Sequence, residues 1–209
     1  MARYQVIPTK TNLLRLKRDL SFAQEGYELL EQKRKILVVE LMGLMDKTAD
    51  AREKVDGDLT EAFKALQNTV LAMGRRAVSN IAPAVNIESD ITIQMRRLMG
   101  VNLPIVEIKT KEISPYFSLE QTSFWIDETI TRFKNLLNDL GKLAELQISL
   151  MRIADEVQKT MRRVNALDKI ALPDFKESIK YIEDTLEESE RATFAILKLI
   201  KEQLEKKKG

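Results

Sequence analysis

The sequence predicts a mainly α protein: a long antiparallel two-helix coiled coil of N- and C-terminal helices, with a short mixed middle region containing a β-hairpin. Three observations predict it. An apolar seam stepping by three and four opens the chain, a second such seam closes it, and prolines and β-branched residues gather between them. A spacing that averages 3.5 residues is that of a helix burying a narrow stripe against another helix.

The first seam reads Leu13, Leu16, Leu20, Ala23, Tyr27, Leu30, Arg34, Leu37, Leu41 and Leu44. Pro8 closes an extended leader, and Thr9 or Thr11 supplies an N-cap oxygen for an orphan backbone N–H. Apolar positions continue through Ala51, Val55, Leu59, Ala62, Leu66, Val70 and Met73, with a four-plus-four stutter at Ala51, Val55 and Leu59. A helix over residues 11–74 would be roughly 95 Å long.

Residues 1–74 are thus read as the first long helix and 75–117 as the middle region. The middle holds Pro83, Pro104 and Pro115, with alternating Val85, Ile87, Ile91 and Ile93 and a second set at Ile105, Val106 and Ile108. Two strands joined near Gly100-Val101-Asn102 make a hairpin whose loop is not the tight Asn-Gly type. Two strands alone are marginal in water, so this hairpin must lean on a helix or a partner.

Residues 118–209 read as the second long helix, capped at Ser118 with Gln121 three residues on. Its seam runs Ile126, Ile130, Phe133, Leu137, Leu140, Ala144, Ile148, Met151, Ala154, Val157, Met161 and Val164. A stutter at Leu140, Ala144 and Ile148 would face the one in the first helix. Pro173 interrupts the pattern and predicts a kink. The heptads resume at Phe175, Ile179, Ile182, Leu186, Ser189, Thr193, Ile196 and Ile200.

Composition narrows the function. Charged residues make up 32% of the chain and balance to a net +2, which argues against a general nucleic-acid binder needing a basic stripe. Lys33-Arg34-Lys35, Arg162-Arg163 and Lys206-Lys207-Lys208 are short basic clusters of the kind found on solvated helix faces and tails. With no cysteine and no histidine the chain lacks disulfides and the commonest general base and zinc ligand. It carries no phosphate loop and no nucleophile elbow, and its paired carboxylates have ordinary helix-surface spacing. No secretory signal opens it, and its most apolar run, Ile36 to Met45, is broken by Glu40 and is half the ~20 residues a membrane span needs.

Two strings are less generic. Ile7-Pro8-Thr9-Lys10-Thr11-Asn12-Leu13-Leu14-Arg15-Leu16-Lys17, continued by Ala23-Gln24-Glu25-Gly26 and Leu29 to Arg34, resembles the opening of the D subunit of V-type and A-type ATPases. Arg162-Arg163-Val164-Asn165-Ala166-Leu167 followed by Leu172-Pro173 is similar to that family's second signature, and Ile179 to Ile182, Arg191 to Phe194 and Lys198 to Lys201 to its closing helix. Lys10, Tyr27 and Asp168 depart from the family pattern without changing a charge type at the outer sites.

The resemblance implies the central-stalk rotor of a rotary ATPase, coupling ATP hydrolysis or synthesis in the head to H⁺ or Na⁺ transport. It implies a non-catalytic chain without cofactor or metal, cytoplasmic and peripheral to the membrane, with no span of its own and no nucleic acid. Its partners would be the catalytic A and regulatory B subunits of the head, the F subunit of the central stalk on the middle region, and the funnel-shaped subunit capping the membrane ring. Residues Thr9, Lys10, Arg15, Lys198 and Lys201 would lie at the upper bearing, with Arg162, Arg163 and Asn165 further down against moving loops of the head.

Heptads by themselves also fit a prefoldin-like chaperone subunit or a parallel coiled-coil tether. Charged helix tips at Lys10, Arg15, Lys201 and Lys206 suit gripping unfolded chains poorly, and the proline-rich middle disfavours one continuous parallel coil.

Overall fold

The computed structural model describes residues 7–85, 89–110 and 122–208. Its elements are α1 (Lys10–Met73), α2 (Arg75–Ile81), a 3₁₀ turn (Ala82–Ala84), β1 (Ser89–Leu98), β2 (Val101–Thr110), α3 (Phe124–Ala166), a π turn (Leu167–Ala171) and α4 (Leu172–Lys208). Two long helical stretches thus flank a two-stranded antiparallel sheet, as the sequence predicts. The expected N-cap at Ser118 with Gln121, together with Ile87 and Pro115, lies outside the described residues. The chain forms two compact units, one of Met1–Lys35 with Gln158–Gly209 and one of Ile36–Val157.

Helix α1 begins where predicted. Thr9 is the cap: its Oγ1 accepts from the N–H of Asn12 at 3.3 Å and its carbonyl from that of Leu13 at 3.0 Å. Thr11 lies inside the helix. The covered positions of α1 correct the predicted stutter. They pass through Leu44, Thr48, Ala51, Val55, Asp58, Ala62, Ala65 and Thr69 without a break in the three-four alternation, while Leu59 is 39% exposed. Polar side chains occupy three seam places, so a search for apolar residues alone slips to Leu59, Leu66 and Val70. Thr48 and Thr69 can sit there because each returns its hydroxyl to the carbonyl four residues back, at 2.6 and 3.0 Å.

In the unit of residues 36–157, α1 and α3 run antiparallel: Lys54 meets Asp139 at 2.9 Å and Glu61 meets Arg132 at 2.5 Å, so numbers rise on one helix as they fall on the other. Val55, Ala62, Leu136 and Leu143 form one core, with the edge of Phe133 against Phe63 at 5.9 Å between centroids. A second core joins Leu37, Ile153 and Val157 to Val101 and Leu103 of the hairpin. The predicted α3 seam is out of phase here. Leu140, Ala144, Ile148, Met151 and Ala154 lie off the covered face, whereas Leu136, Leu143, Ser149 and Ile153 are buried. Small polar residues such as Ser149 and Thr129 hold interior places that apolar counting skips.

The hairpin corrects the expected loop. Leu98 pairs with Val101, so the connection is two residues, Met99 and Gly100, with φ of 47° and 84°. Two consecutive positive φ values match the right-handed strand twist, but they put a methionine where glycine or asparagine is favoured. The hairpin leans on α3, as two strands must. Glu145 Oε2 accepts from the N–H of Val106 at 2.8 Å and Arg152 donates to the carbonyl of Asn102 at 2.7 Å. Ile108 lies over Gly141, where a Cβ would come within 2.2 Å of its Cδ1. The outer strand β1 is exposed from Asp90 to Arg97, including Ile91, Ile93 and Met95.

In the other unit, α1 pairs antiparallel with α4. Lys10 meets Glu190 at 2.7 Å and Lys17 meets Glu183 at 2.6 Å, around a core of Leu16, Ile179 and Ile182 flanked by Leu13, Leu20, Phe175 and Leu186. Arg34 stands half-buried at its seam position and turns its guanidinium to Glu31 at 2.5 Å. Ser189 and Thr193, read as seam residues, are exposed, and Thr193 hydrogen-bonds the Ser189 carbonyl at 2.8 Å. At Pro173 the helix widens into the π turn just before the proline, with the N–H of Leu172 bonding the carbonyl of Leu167, five residues back.

Candidate functional site

All eight residues singled out from the sequence lie in the unit of residues 1–35 and 158–209, and they fall into three groups. Thr9 is the cap of α1, and Lys10 in the next position bonds Glu190 of α4. The Glu190 carboxylate, as hydrogen-bond acceptor and opposite charge, holds the Lys10 ammonium above the usual lysine range. Arg15, a turn further on, is exposed and has Asp19 at 3.9 Å. Leu13, Leu14 and Leu186 floor an open cleft between the helices at this end, and Lys10, Glu183, Glu187 and Glu190 rim it.

Lys198 and Lys201 lie eight and eleven residues beyond Glu190, on a stretch of α4 whose residues are all exposed. Lys201 has Glu205 at 3.7 Å along the same helix. Arg162, Arg163 and Asn165, exposed on the last turns of α3, precede the π turn. Some 25 helical residues separate them from Glu190, roughly 40 Å at 1.5 Å per residue. The structure therefore brings Lys10 to α4 and keeps the arginine pair apart from it.

What sequence reasoning missed is apolar. Past its last ion pair to α1, α4 exposes Phe194 (73%), Ile196, Leu197, Leu199 (60%), Ile200 and Leu204. Ile196 and Ile200 read as seam residues, but no α1 residue stands opposite them, because α1 begins at Lys10 and Lys10 already pairs with Glu190. The signal lay in the register. If residues 10 and 190 pair antiparallel, residues beyond about 190 pair with nothing on α1. An apolar helix surface of this extent is a candidate contact surface.

The chemistry on offer is that of a contact surface. Among the described residues no group of three or more Asp and Glu could hold a metal ion, and no helix is long and apolar enough to cross a membrane. The resolved pKa shifts belong to ion pairs, Lys10 with Glu190, Arg34 with Glu31 and Lys54 with Asp139.

Comparison with known proteins bears on the whole length. A family model for the D subunit of ATP synthase matches residues 12–202. The chain is 36% identical over 206 residues to the D subunit of an A-type ATP synthase of Thermococcus sibiricus, covering 97% of this chain and 96% of that one. It is 36% identical over 204 residues to the corresponding protein of Pyrococcus furiosus (96% and 95%). The D subunit of a V-type ATP synthase of Thermotoga neapolitana is 35% identical over 199 residues (95% and 98%).

Proposed function

The chain belongs to the D-subunit family of A-type and V-type ATP synthases, and from that membership we propose that it is the turning shaft of the central stalk. It is a subunit of a rotary ATPase; the reading adds that it carries torque and does no chemistry. ATP hydrolysis in the head turns it and drives H⁺ or Na⁺ across the membrane, or ion flow turns it back.

The observation that carries this reading is the end of α4. An amphipathic helix left without its partner, with six large apolar side chains exposed and lysines interspersed, needs a collar of protein around it. A ring of alternating A and B subunits supplies a collar, and its apolar lining would let the helix turn without fixed hydrogen bonds to break. Below it, two helices of different sequence present a different face to each catalytic interface at every angle. Exposed charged side chains make only weak contacts with a passing surface, an exposed ion pair being worth ~1 kcal/mol or less.

On this reading Thr9, Lys10, Arg15, Lys198 and Lys201 surround the upper bearing, and Arg162, Arg163 and Asn165 meet moving loops of the head. The F subunit takes the middle region and the funnel-shaped subunit the far end, which makes the protein a peripheral, cytoplasmic member of the complex. The decisive experiment attaches a gold bead to a cysteine on β2, at Lys109, in a complex immobilised by its head. Unidirectional rotation on ATP addition is expected. A stationary bead on a complex that hydrolyses ATP sinks the proposal. Truncation after Glu190 tests the bearing: ATP hydrolysis by the assembled head should persist while torque falls several-fold.

A further inference from the structure

The buried face of the unit containing α4 hides an irregularity at one place. Buried or half-buried positions run Thr160, Val164 and Leu167 in single file, then pair as Ala171 with Leu172, Asp174 with Phe175 and Ser178 with Ile179. The first fully buried position after Leu167 is Leu172, five residues on, with the half-buried Ala171 before it. The π turn spans that step. At 100° per residue, an α-helix would bring Leu172 round 500° from Leu167, about 140° off the shared face. Closing one full turn over five residues restores Leu172 to the face. The turn is a one-residue insertion absorbed as a bulge, the usual form of π geometry within an α-helix.

Little packs over this bulge, since Leu167 and Ala171 are half-buried and the three residues between them are exposed. None of its five residues is buried, and Ile170 is 62% exposed. Pro173 follows directly and has no N–H, so it cannot close the α-helical bond to the carbonyl of Lys169, and the N–H of Leu172 is turned to Leu167 instead of Asp168. On the buried face to either side, the hydroxyls of Thr160 (1% exposed) and Ser178 (3%) have no hydrogen-bond partner. Helical threonines elsewhere in the chain, Thr60 and Thr185 among them, return their hydroxyls to a carbonyl. The irregular ladder thus lies between two turns that each bury an unpaired hydroxyl.

We propose that Leu167–Ala171 is a compliant joint: the point at which this helix opens first and takes up twist, while its seam stays in phase on both sides. The inference stands on the paired helices alone and does not need the rotor reading; absence of ATP-driven rotation would leave it untouched. If the shaft reading holds, the joint is where the chain stores angle between catalytic steps.

Hydrogen exchange on the full chain tests it directly. Amides of residues 168–172 should exchange about tenfold or more faster than those of the α-helical turns at 160–164 and 177–182. Protection equal to those flanks overturns the proposal. A variant lacking Ile170 and carrying Pro173→Ala has a four-residue step and can close as α-helix. Its exchange at this point should slow to that of the flanks, with the unfolding midpoint kept or raised. Deletion of Lys180, which throws Ile182 and Leu186 about 100° out of phase, should lower the midpoint by many degrees. If the two deletions destabilise equally, the bulge is not a phase-keeping insertion and the idea fails.

Discussion

Leu37→Ala is the sharpest single test of how the hairpin is held. Leu37 is fully buried and shares its cluster with both strand-derived side chains, Val101 and Leu103, as well as Ile153 and Val157 of α3. The substitution removes three carbons, about 2.4 kcal/mol of transfer free energy at ~0.8 kcal/mol each. A cavity then remains. If half the vacated space, on the order of 40 Å³, stays empty, it adds about 1 kcal/mol at ~24 cal/mol per Å³. The helices cannot close it, because α1 and α3 are spaced by their other seam residues. The hairpin can, since it hangs on a two-residue turn and a few side-chain bonds to α3. The expected loss is therefore about 3 kcal/mol in urea unfolding followed by helical circular dichroism, with faster hydrogen exchange at Val101 and Leu103. Val39, two residues away and 71% exposed, is the control, and Val39→Ala should change stability by less than ~0.5 kcal/mol. Equal losses from the two, or a loss under ~1 kcal/mol for Leu37→Ala, would refute the packing argument.

Further outcomes follow from the same structure. Met99→Asn creates an Asn-Gly turn at positive φ and should slow exchange across β1 and β2, stabilising the hairpin by ~0.5–1 kcal/mol; an unchanged or faster rate would mean the turn is not of the primed type. Gly141→Leu must push Ile108 aside, so hairpin amides should lose protection while the Val55–Leu143 core keeps its own, as exchange mapping will tell. Asp139 is held below the usual carboxylate range chiefly by its hydrogen bond from Lys54. Its contribution is thus present above ordinary carboxylate pKa values and lost as pH falls through its lowered pKa, in the window below about 4. Asp139→Asn should flatten the acid limb of the stability–pH curve, and an identical limb in the variant would discount the pair. A disulfide between cysteines at 13 and 186, which line one cleft, should form within one chain, whereas the pair 13 and 200 should not.

Several elements were legible before any coordinates. Leu13 to Leu44 gave helix, phase and the need for a partner, because an apolar stripe at 3.5-residue spacing can be buried in few other ways. Thr9 or Thr11 announced the start of α1 by a capping oxygen, and the β-branched alternation after Pro83 announced strands. The strings around Pro8 and Arg162 pointed to the family to which the chain belongs. Four of the misreadings share one cause. At Asp58, Thr69, Ser149 and Thr160 a polar side chain occupies a seam place, and a search for apolar residues slides to the neighbouring Leu59, Val70, Ile148 or Met161.

The remainder was decided by tertiary structure, since phase and register are properties of two helices and a sequence presents only one at a time. Where Lys10 meets Glu190 determines that Ile196 and Ile200 are bare surface, although the same residues on a longer partner would be core. That Pro173 is met by a π turn and not by a simple kink is likewise a property of the folded helix, seen in the bond from the N–H of Leu172 to the carbonyl of Leu167. Local propensity chose helix and hairpin at once from side-chain shape. Burial, which needs the second surface in place, chose which side of each would be wet.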